Sequence, residues 1–245
     1  YKSLINKFNF KFKSQNNLDS FPYLPITLFK ELDLISVPKN DIVKTLFSSG
    51  TSGSGRSKIF LDKTNSLNQI KTLKSIMTKF LGHERLPMLI IDRDPRSNIK
   101  DNFTAKSAAI FGFSIFGRQY TYLLDKNNKI NYHLLNDFLE KFHKKKFFIF
   151  GFTSFIYENL IMKINSKKLK YKMNNALLLH GGGWKKMEEK KISNKIFKEK
   201  LLKKFKIKNV QNYYGLVEQT GSIFVECQNC NSFVTSVYSD VLIRD

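Results

Sequence analysis

The chain has 245 residues, 42% of them apolar and 25% charged, a balance that suits a globular fold with a sizeable core and excludes a disordered or fibrous chain. No apolar run approaches the roughly 20 residues of a membrane-spanning helix, and the lysine-dotted start offers no apolar leader, so a cytoplasmic protein without a membrane span is expected. The net charge of +22 invites a nucleic-acid partner, but lysine far outnumbers arginine, the residue of bidentate base contacts, so the charge reads as solvated surface on an AT-rich coding background.

Residues 1–40 read as an irregular, partly helical lead-in punctuated by Pro22, Pro25 and Pro38. Residues 41–245 read as one α/β domain. Its first strand, Ile42 to Phe47, runs straight into a serine- and glycine-rich segment, after which Ile59-Phe60-Leu61 reads as a short strand. Leu67, Ile70, Leu73, Ile76, Met77 and Phe80 recur at helical spacing. Pro87 to Ile91 is a buried-type strand ending in Asp92, Tyr132 to Phe142 a helix, and Lys146 to Phe150 the next strand. Ala176 to His180 is a strand broken by Gly181-Gly182-Gly183. Met187, Ile192, Ile196, Leu201, Leu202 and Phe205 mark a helix, Asn209 to Tyr214 a strand, and short strands follow Gly221. Strands alternating with helices predict a mixed, largely parallel sheet flanked by helices. In such sheets ligands bind beyond the carboxyl ends of the strands, where each glycine cluster lies.

Residues 48–58 are the richest segment. Glycines let backbone N–H groups approach an anion, Ser48, Ser49, Thr51 and Ser52 can donate to phosphate oxygens, and Arg56 and Lys58 supply charge. Two phosphate loops compete. Gly50 to Ser57 fits G-x-x-x-x-G-K-[ST] except for Arg56 in the lysine position, and Asp92 after its apolar run has the shape of a magnesium-binding strand. Against a P-loop NTPase, a planar guanidinium replaces a point charge poorly, and the helix should begin at once. His180-Gly181-Gly182-Gly183-Trp184 looks like an esterase oxyanion loop, yet the chain has no G-x-S-x-G nucleophile; a flat ring lying on bare backbone is the alternative, beside a plain tight turn. Tyr214-Gly215-Leu216-Val217-Glu218 adds an aromatic, a turn and a carboxylate suited to magnesium. Cys227 and Cys230 form half of a zinc site with no second pair, so incidental or buried thiols are expected.

Together these segments resemble the adenylate-forming superfamily, and more closely its LuxE-like acyl-protein synthetase family from bacterial bioluminescence operons. The resemblance rests on Leu28-Phe29-Lys30-Glu31, on residues 48–53, on Phe150-Gly151-Phe152-Thr153, on residues 180–186, on residues 214–222 and on residues 238–245, in family order. It implies a fold like the large N-terminal domain of adenylate-forming enzymes, with 41–245 as the AMP-binding domain. The family pattern continues past Asp245 into a ribose-binding aspartate, a lid lysine and an acceptor cysteine, so a chain truncated before its C-terminal lid is expected. The implied reaction activates a carboxylic acid, fatty by family precedent, with ATP and Mg2+, then transfers the acyl group to a protein thiol in the missing C-terminal region or on a partner acyltransferase or reductase. Coenzyme A is the alternative acceptor. By the same carry-over, Ser48, Ser49, Gly50, Thr51, Ser52, Gly53, Gly55 and Arg56 cradle phosphates, with Thr51 and Lys58 catalytic. Gly181, Gly182 and Gly183 border the adenine, Tyr214 and Gly215 lie against the nucleotide, and Glu218 is catalytic and holds Mg2+. Phe150, Gly151, Phe152 and Thr153 line the acyl pocket.

Overall fold

The computed structural model describes residues 6, 11, 21–48, 55–97 and 105–243. Its centre is a seven-stranded sheet with the order β4-β3-β5-β6-β7-β8-β9. The strands are β3 (Leu86–Ile90), β4 (Gly117–Tyr122), β5 (Phe147–Phe152), β6 (Ala176–Gly181), β7 (Asn209–Tyr214), β8 (Phe224–Glu226) and β9 (Phe233–Val234). The first five are mutually parallel, and β8 and β9 return antiparallel. A separate antiparallel hairpin pairs β1 (Ile42–Phe47) with β2 (Lys58–Asp62). The mixed, largely parallel sheet read from the sequence is therefore what the chain forms.

Helices cover both faces, which is why β5 and β6 are buried along their whole length. Alternate residues divide between two cores. Phe147, Ile149 and Leu178 face one layer, built by α4 (Tyr132–Phe142), α5 (Thr153–Phe155, continuing as a π-helix over Ile156–Lys163) and α6 (Asn194–Phe205). Phe148, Phe150, Leu177 and Leu179 face the other, under α2 (Lys63–Leu81) and α3 (Ala105–Ser114). The short α1 (Leu28–Glu31) sets Phe29 against a small third core of Leu46, Ile59 and Leu61 inside the hairpin.

Side-chain caps fix several helix starts. The Asp62 carboxylate accepts the Asn65 N–H at 2.7 Å, and Asn131 Oδ1 accepts the Leu134 N–H at 3.1 Å. Two sequence expectations shift. The helix drawn from Met187 begins at Asn194, because Ser193 caps it through the Ile196 N–H, while Met187 and Ile192 lie in a preceding turn and an extended link. The strand drawn from Lys146 begins at Phe147, and lysines 144–146 occupy the exposed turn between α4 and β5. Helix α3 and strand β4, not anticipated, complete the parallel edge of the sheet.

Candidate active site

The parallel strands end on one rim, where Thr153 follows β5, the glycine turn follows β6 and the turn carrying Glu218 follows β7. β1 leads to Ser48, whose N–H donates to the Ser57 carbonyl (3.1 Å) and whose Oγ accepts the Ser57 N–H (2.9 Å). This pair of bonds ties the two ends of the phosphate segment at its base. Ser49, Gly50, Thr51, Ser52 and Gly53 lie outside the described residues. Gly55 and Arg56 are exposed, and a Cβ on Gly55 would sit 3.5 Å from the Lys30 carbonyl. Lys58, at the first position of β2, pairs with Asp33 at 2.9 Å across an exposed surface, an arrangement of little energetic weight.

The hairpin geometry weighs against a Walker loop. β1 is paired with β2 alone and is not a strand of the parallel sheet, and α2 begins only after β2 has run its five residues. Asp92, the other half of that reading, is 2% exposed. It accepts the Arg93 N–H at 2.8 Å and holds Lys106 Nζ at 2.7 Å from Oδ2. Burial pushes its carboxyl pKa up, and Lys106 opposes that push. Lys106 also lies 3.6 Å above the Phe155 ring, so a cation is fixed at the end of β5 that nothing in the sequence pattern announced.

The segment after β7 is held against the hairpin. Val217 packs on the Leu46–Ile59–Leu61 core, and Gly221, at φ +78°, passes so close to α2 that a Cβ would stand 2.7 Å from Gln69 Cα. Glu218, the next residue after Val217, is partly exposed. Tyr214 is half exposed, near Phe224 and Phe233, and Gly215 closes on Ile223. The partly exposed carboxylate of Glu218 is an oxygen donor of the kind that suits Mg2+. Among the described residues no three His, Cys, Asp or Glu side chains cluster as a ready-made metal site.

The glycine turn after β6 has three different environments. A Cβ on Gly181 would meet the Tyr213 ring at 2.5 Å and its carbonyl oxygen at 2.7 Å. Gly182 has φ +78° and its Cβ would stand 2.7 Å from Phe152 Cδ1. Gly183 has φ +65° and faces open space. Bare backbone with room in front of it suits a flat ring. Burial lifts the Tyr213 hydroxyl above its ordinary pKa and packs its ring on Phe113, 4.8 Å between centroids.

Of the four residues expected to line an acyl pocket, Phe150 is fully buried and stacks on Phe113 at 4.6 Å, a core position. Gly151 is buried under Ile156. Phe152 and Thr153 lie nearer the rim, with Thr153 Oγ1 at 2.9 Å from His180 Nδ1 and 3.1 Å from the Gly181 oxygen. The only signal of His180 in the sequence is a lone polar residue closing an apolar strand.

Cys227 and Cys230 are free thiols, the first partly and the second fully exposed, so neither is a buried structural cysteine. The N–H groups of Cys230 and Asn229 turn toward Cys227 and pull its thiol pKa down.

A family model described as acyl-protein synthetase, LuxE, matches residues 3–245. A comparison with curated proteins finds no significant match. Among solved structures, an open-conformation 2-hydroxyisobutyryl-CoA ligase in complex with 2-HIB-AMP and CoA is similar over 78% of this chain and 37% of its own, with TM-score 0.52 and 11% identity. ATP-bound MatB from Rhodopseudomonas palustris aligns over 78% of this chain and 32% of its own (TM-score 0.45, 14% identity). A malonyl-CoA ligase complex with methylmalonyl-CoA and AMP aligns over 78% and 36% (TM-score 0.47, 13% identity). The chain thus spans about a third of the length of these structures, and the likeness to the first is one of fold.

Proposed function

The chain belongs to the LuxE acyl-protein synthetase family, and from that premise we propose that it activates a carboxylic acid with Mg-ATP as an acyl-adenylate and passes the acyl group to a thiol. The observation that most supports this reading is the packing of Val217 on the hairpin core, which draws the turn carrying Glu218 onto the two strands that flank segment 49–53, while the glycine turn follows the neighbouring strand β6. On this reading the phosphates, the metal and the purine would take separate places, at segment 49–53, at Glu218 and at the glycine turn.

In the first step a carboxylate oxygen attacks the α-phosphorus and the bond to the bridging oxygen breaks, releasing pyrophosphate. In the second a thiolate sulfur attacks the acyl carbon and AMP leaves. Adenylation exchanges a poor leaving group for a good one, so the protein's work is positioning and charge neutralisation. Glu218 would hold Mg2+, which would supply charge neutralisation at the phosphates. Ser49, Gly50, Thr51, Ser52 and Gly53 would hold the β- and γ-phosphates, with Arg56 and Lys58 adding charge. Lys58 reaches a phosphate only by leaving Asp33, an exposed pair that costs little to break. Gly181, Gly182 and Gly183 would border the adenine and Tyr214 the nucleotide. Phe152 and Thr153, the rim-side pair, would border the acid, and the buried Phe150 and Gly151 would shape that pocket from beneath. The acid is proposed to be fatty and the acceptor a protein cysteine.

The test is carboxylic-acid-dependent exchange of labelled pyrophosphate into ATP. Exchange with a fatty acid present and absent without it is the expected result, and Glu218→Gln should reduce it at least a hundredfold, the scale on which an electrostatic contact to developing charge acts. Unchanged exchange in Glu218→Gln removes the metal role from that residue; orthophosphate release without acid dependence defeats the adenylation reading. Labelled acyl group retained on protein through denaturation, against label recovered on coenzyme A, separates the two thiol acceptors.

A further inference from the structure

A short loop links β8 to β9, with Cys227 at its start and Cys230 three positions on. The Cys227 N–H donates to the Ser232 carbonyl at 2.8 Å, extending the β8–β9 ladder, and the Asn231 N–H returns to the Cys227 carbonyl at 2.9 Å. Gln228 to Cys230 make the turn. Asn231, at φ +54°, closes it in the left-handed backbone that asparagine enters more readily than most residues. Such a turn keeps residues three apart within about 7 Å at Cα, and disulfides span Cα pairs of about 4.4 to 6.8 Å. Both thiols are free, Cys227 partly and Cys230 fully exposed, so a small reagent reaches either sulfur. The two are not equivalent. The Cys230 N–H, the Asn229 N–H and the Cys230 S–H turn toward Cys227 and draw its thiol pKa below the ordinary value, against a smaller upward push from burial and from the Glu226 carboxylate. Lys198, 2.7 Å from Glu226 Oε1, meets the charge of that carboxylate.

Two sulfurs fill half of a tetrahedral zinc shell, and among the described residues no third His, Cys, Asp or Glu joins them. A pair of accessible thiols on one turn, the first of them held toward its thiolate, suits exchange instead. We infer that Cys227 and Cys230 form a dithiol site that exchanges with low-molecular-weight disulfides, Cys227 as the attacking sulfur and Cys230 as the resolving one. The Cys227 thiolate attacks one sulfur of the small disulfide, that S–S bond breaks, and the departing thiolate takes up a proton. Cys227 is then half of a mixed disulfide. Cys230 gives up its proton, its thiolate attacks the Cys227 sulfur, and the second small thiolate leaves and is protonated. Overall the two protein thiols give up two protons and two electrons, which the small disulfide takes to become two thiols. The bridge closes within the turn. This chemistry is independent of the adenylation reading above.

The test treats the reduced 245-residue chain, which has 2 cysteines, with oxidised glutathione. Free thiols are then capped with iodoacetamide and the intact mass is read. The wild-type chain should lose both free thiols and retain no glutathione. Cys230→Ser lacks the resolving thiol and should keep glutathione on Cys227. Cys227→Ser should take up glutathione on Cys230 about fivefold more slowly, because a lower thiol pKa raises the thiolate fraction more than it lowers nucleophilicity. Glutathione retained on the wild-type chain, two thiols left free, or equal rates in the two single variants would each overturn the inference. So would protein recovered with Zn2+ on the loop, its thiols reacting only after a chelator strips the metal, since the pair would then be a metal site.

Discussion

At the scale of the residue, His180 makes the sharpest demand on pH. Burial and the nearby Lys198 hold its folded pKa at about 3, below the unfolded value of 6.5, so the unfolded chain binds the extra proton as pH falls from 6.5 toward 3. Stability is full above pH 6.5 and is lost in that window. From pH 7 to pH 5 the loss from this one group is about 2 kcal/mol by linkage. His180→Asn should flatten that part of the stability curve in urea titrations, and an unchanged slope would mean the ring is not held neutral. The glycine turn gives a graded series. Gly183→Ala meets open space at φ +65°, so its cost is that of the left-handed backbone alone, about 1 kcal/mol. Gly182→Ala adds a Cβ 2.7 Å from Phe152 and should cost more in thermal unfolding. Gly181→Ala would press on both the ring and the carbonyl of Tyr213 and should cost most. A flat series would mean the turn has room the geometry denies it. The glycines announce the turn in the sequence. The Thr153–His180 pair is silent there, because its partners stand 27 positions apart and meet only through the register of two parallel strands.

At the scale of the element, what the sequence disclosed follows burial. β5, β6 and α4 were legible because a fully apolar run or a clean helical stripe has few other uses. Helix α3 was not: its residues, Ala-Lys-Ser-Ala-Ala-Ile-Phe-Gly-Phe-Ser, carry no polar face to give a period. β4 was missed for the opposite reason, since Arg118, Gln119 and Tyr120 are exposed at the sheet's edge and imitate a loop. The turn from parallel to antiparallel at β8 depends on a buried carboxylate. Glu226, 3% exposed, accepts from Asn194, from Lys198 Nζ at 2.7 Å and from the Asn212 N–H at 3.1 Å. It ties β8 to β7 and to the first turns of α6. Glu226→Ala strands all three donors and should cost about 3 kcal/mol, seen as a lower urea midpoint and faster amide exchange in β8 than in β5. Equal exchange in both strands would show that β8 does not depend on this carboxylate.

At the scale of the whole molecule, the β6 glycine turn and the turn carrying Glu218 follow neighbouring parallel strands, and Val217 lays the second of these on the separate β1–β2 hairpin. The same parallel arrangement sorts charge. Each strand is entered at one edge of the sheet and left at the other. Lys144, Lys145 and Lys146 precede β5, Lys170 and Lys172 precede β6, and Lys206 and Lys208 precede β7, all of them exposed. A six-residue strand is roughly 20 Å long, more than twice the screening length of roughly 8 Å at physiological salt. These seven ammonium groups are therefore electrically remote from the rim that holds the glycine turn. Exchanging all seven for glutamine should leave AMP affinity within about twofold, and a larger loss would place some of them at the site. The wild-type protein, in turn, has a built-in handle. Laid on a negatively charged bead or electrode, it should settle basic edge down, with the glycine turn facing the solution and still able to take up nucleotide.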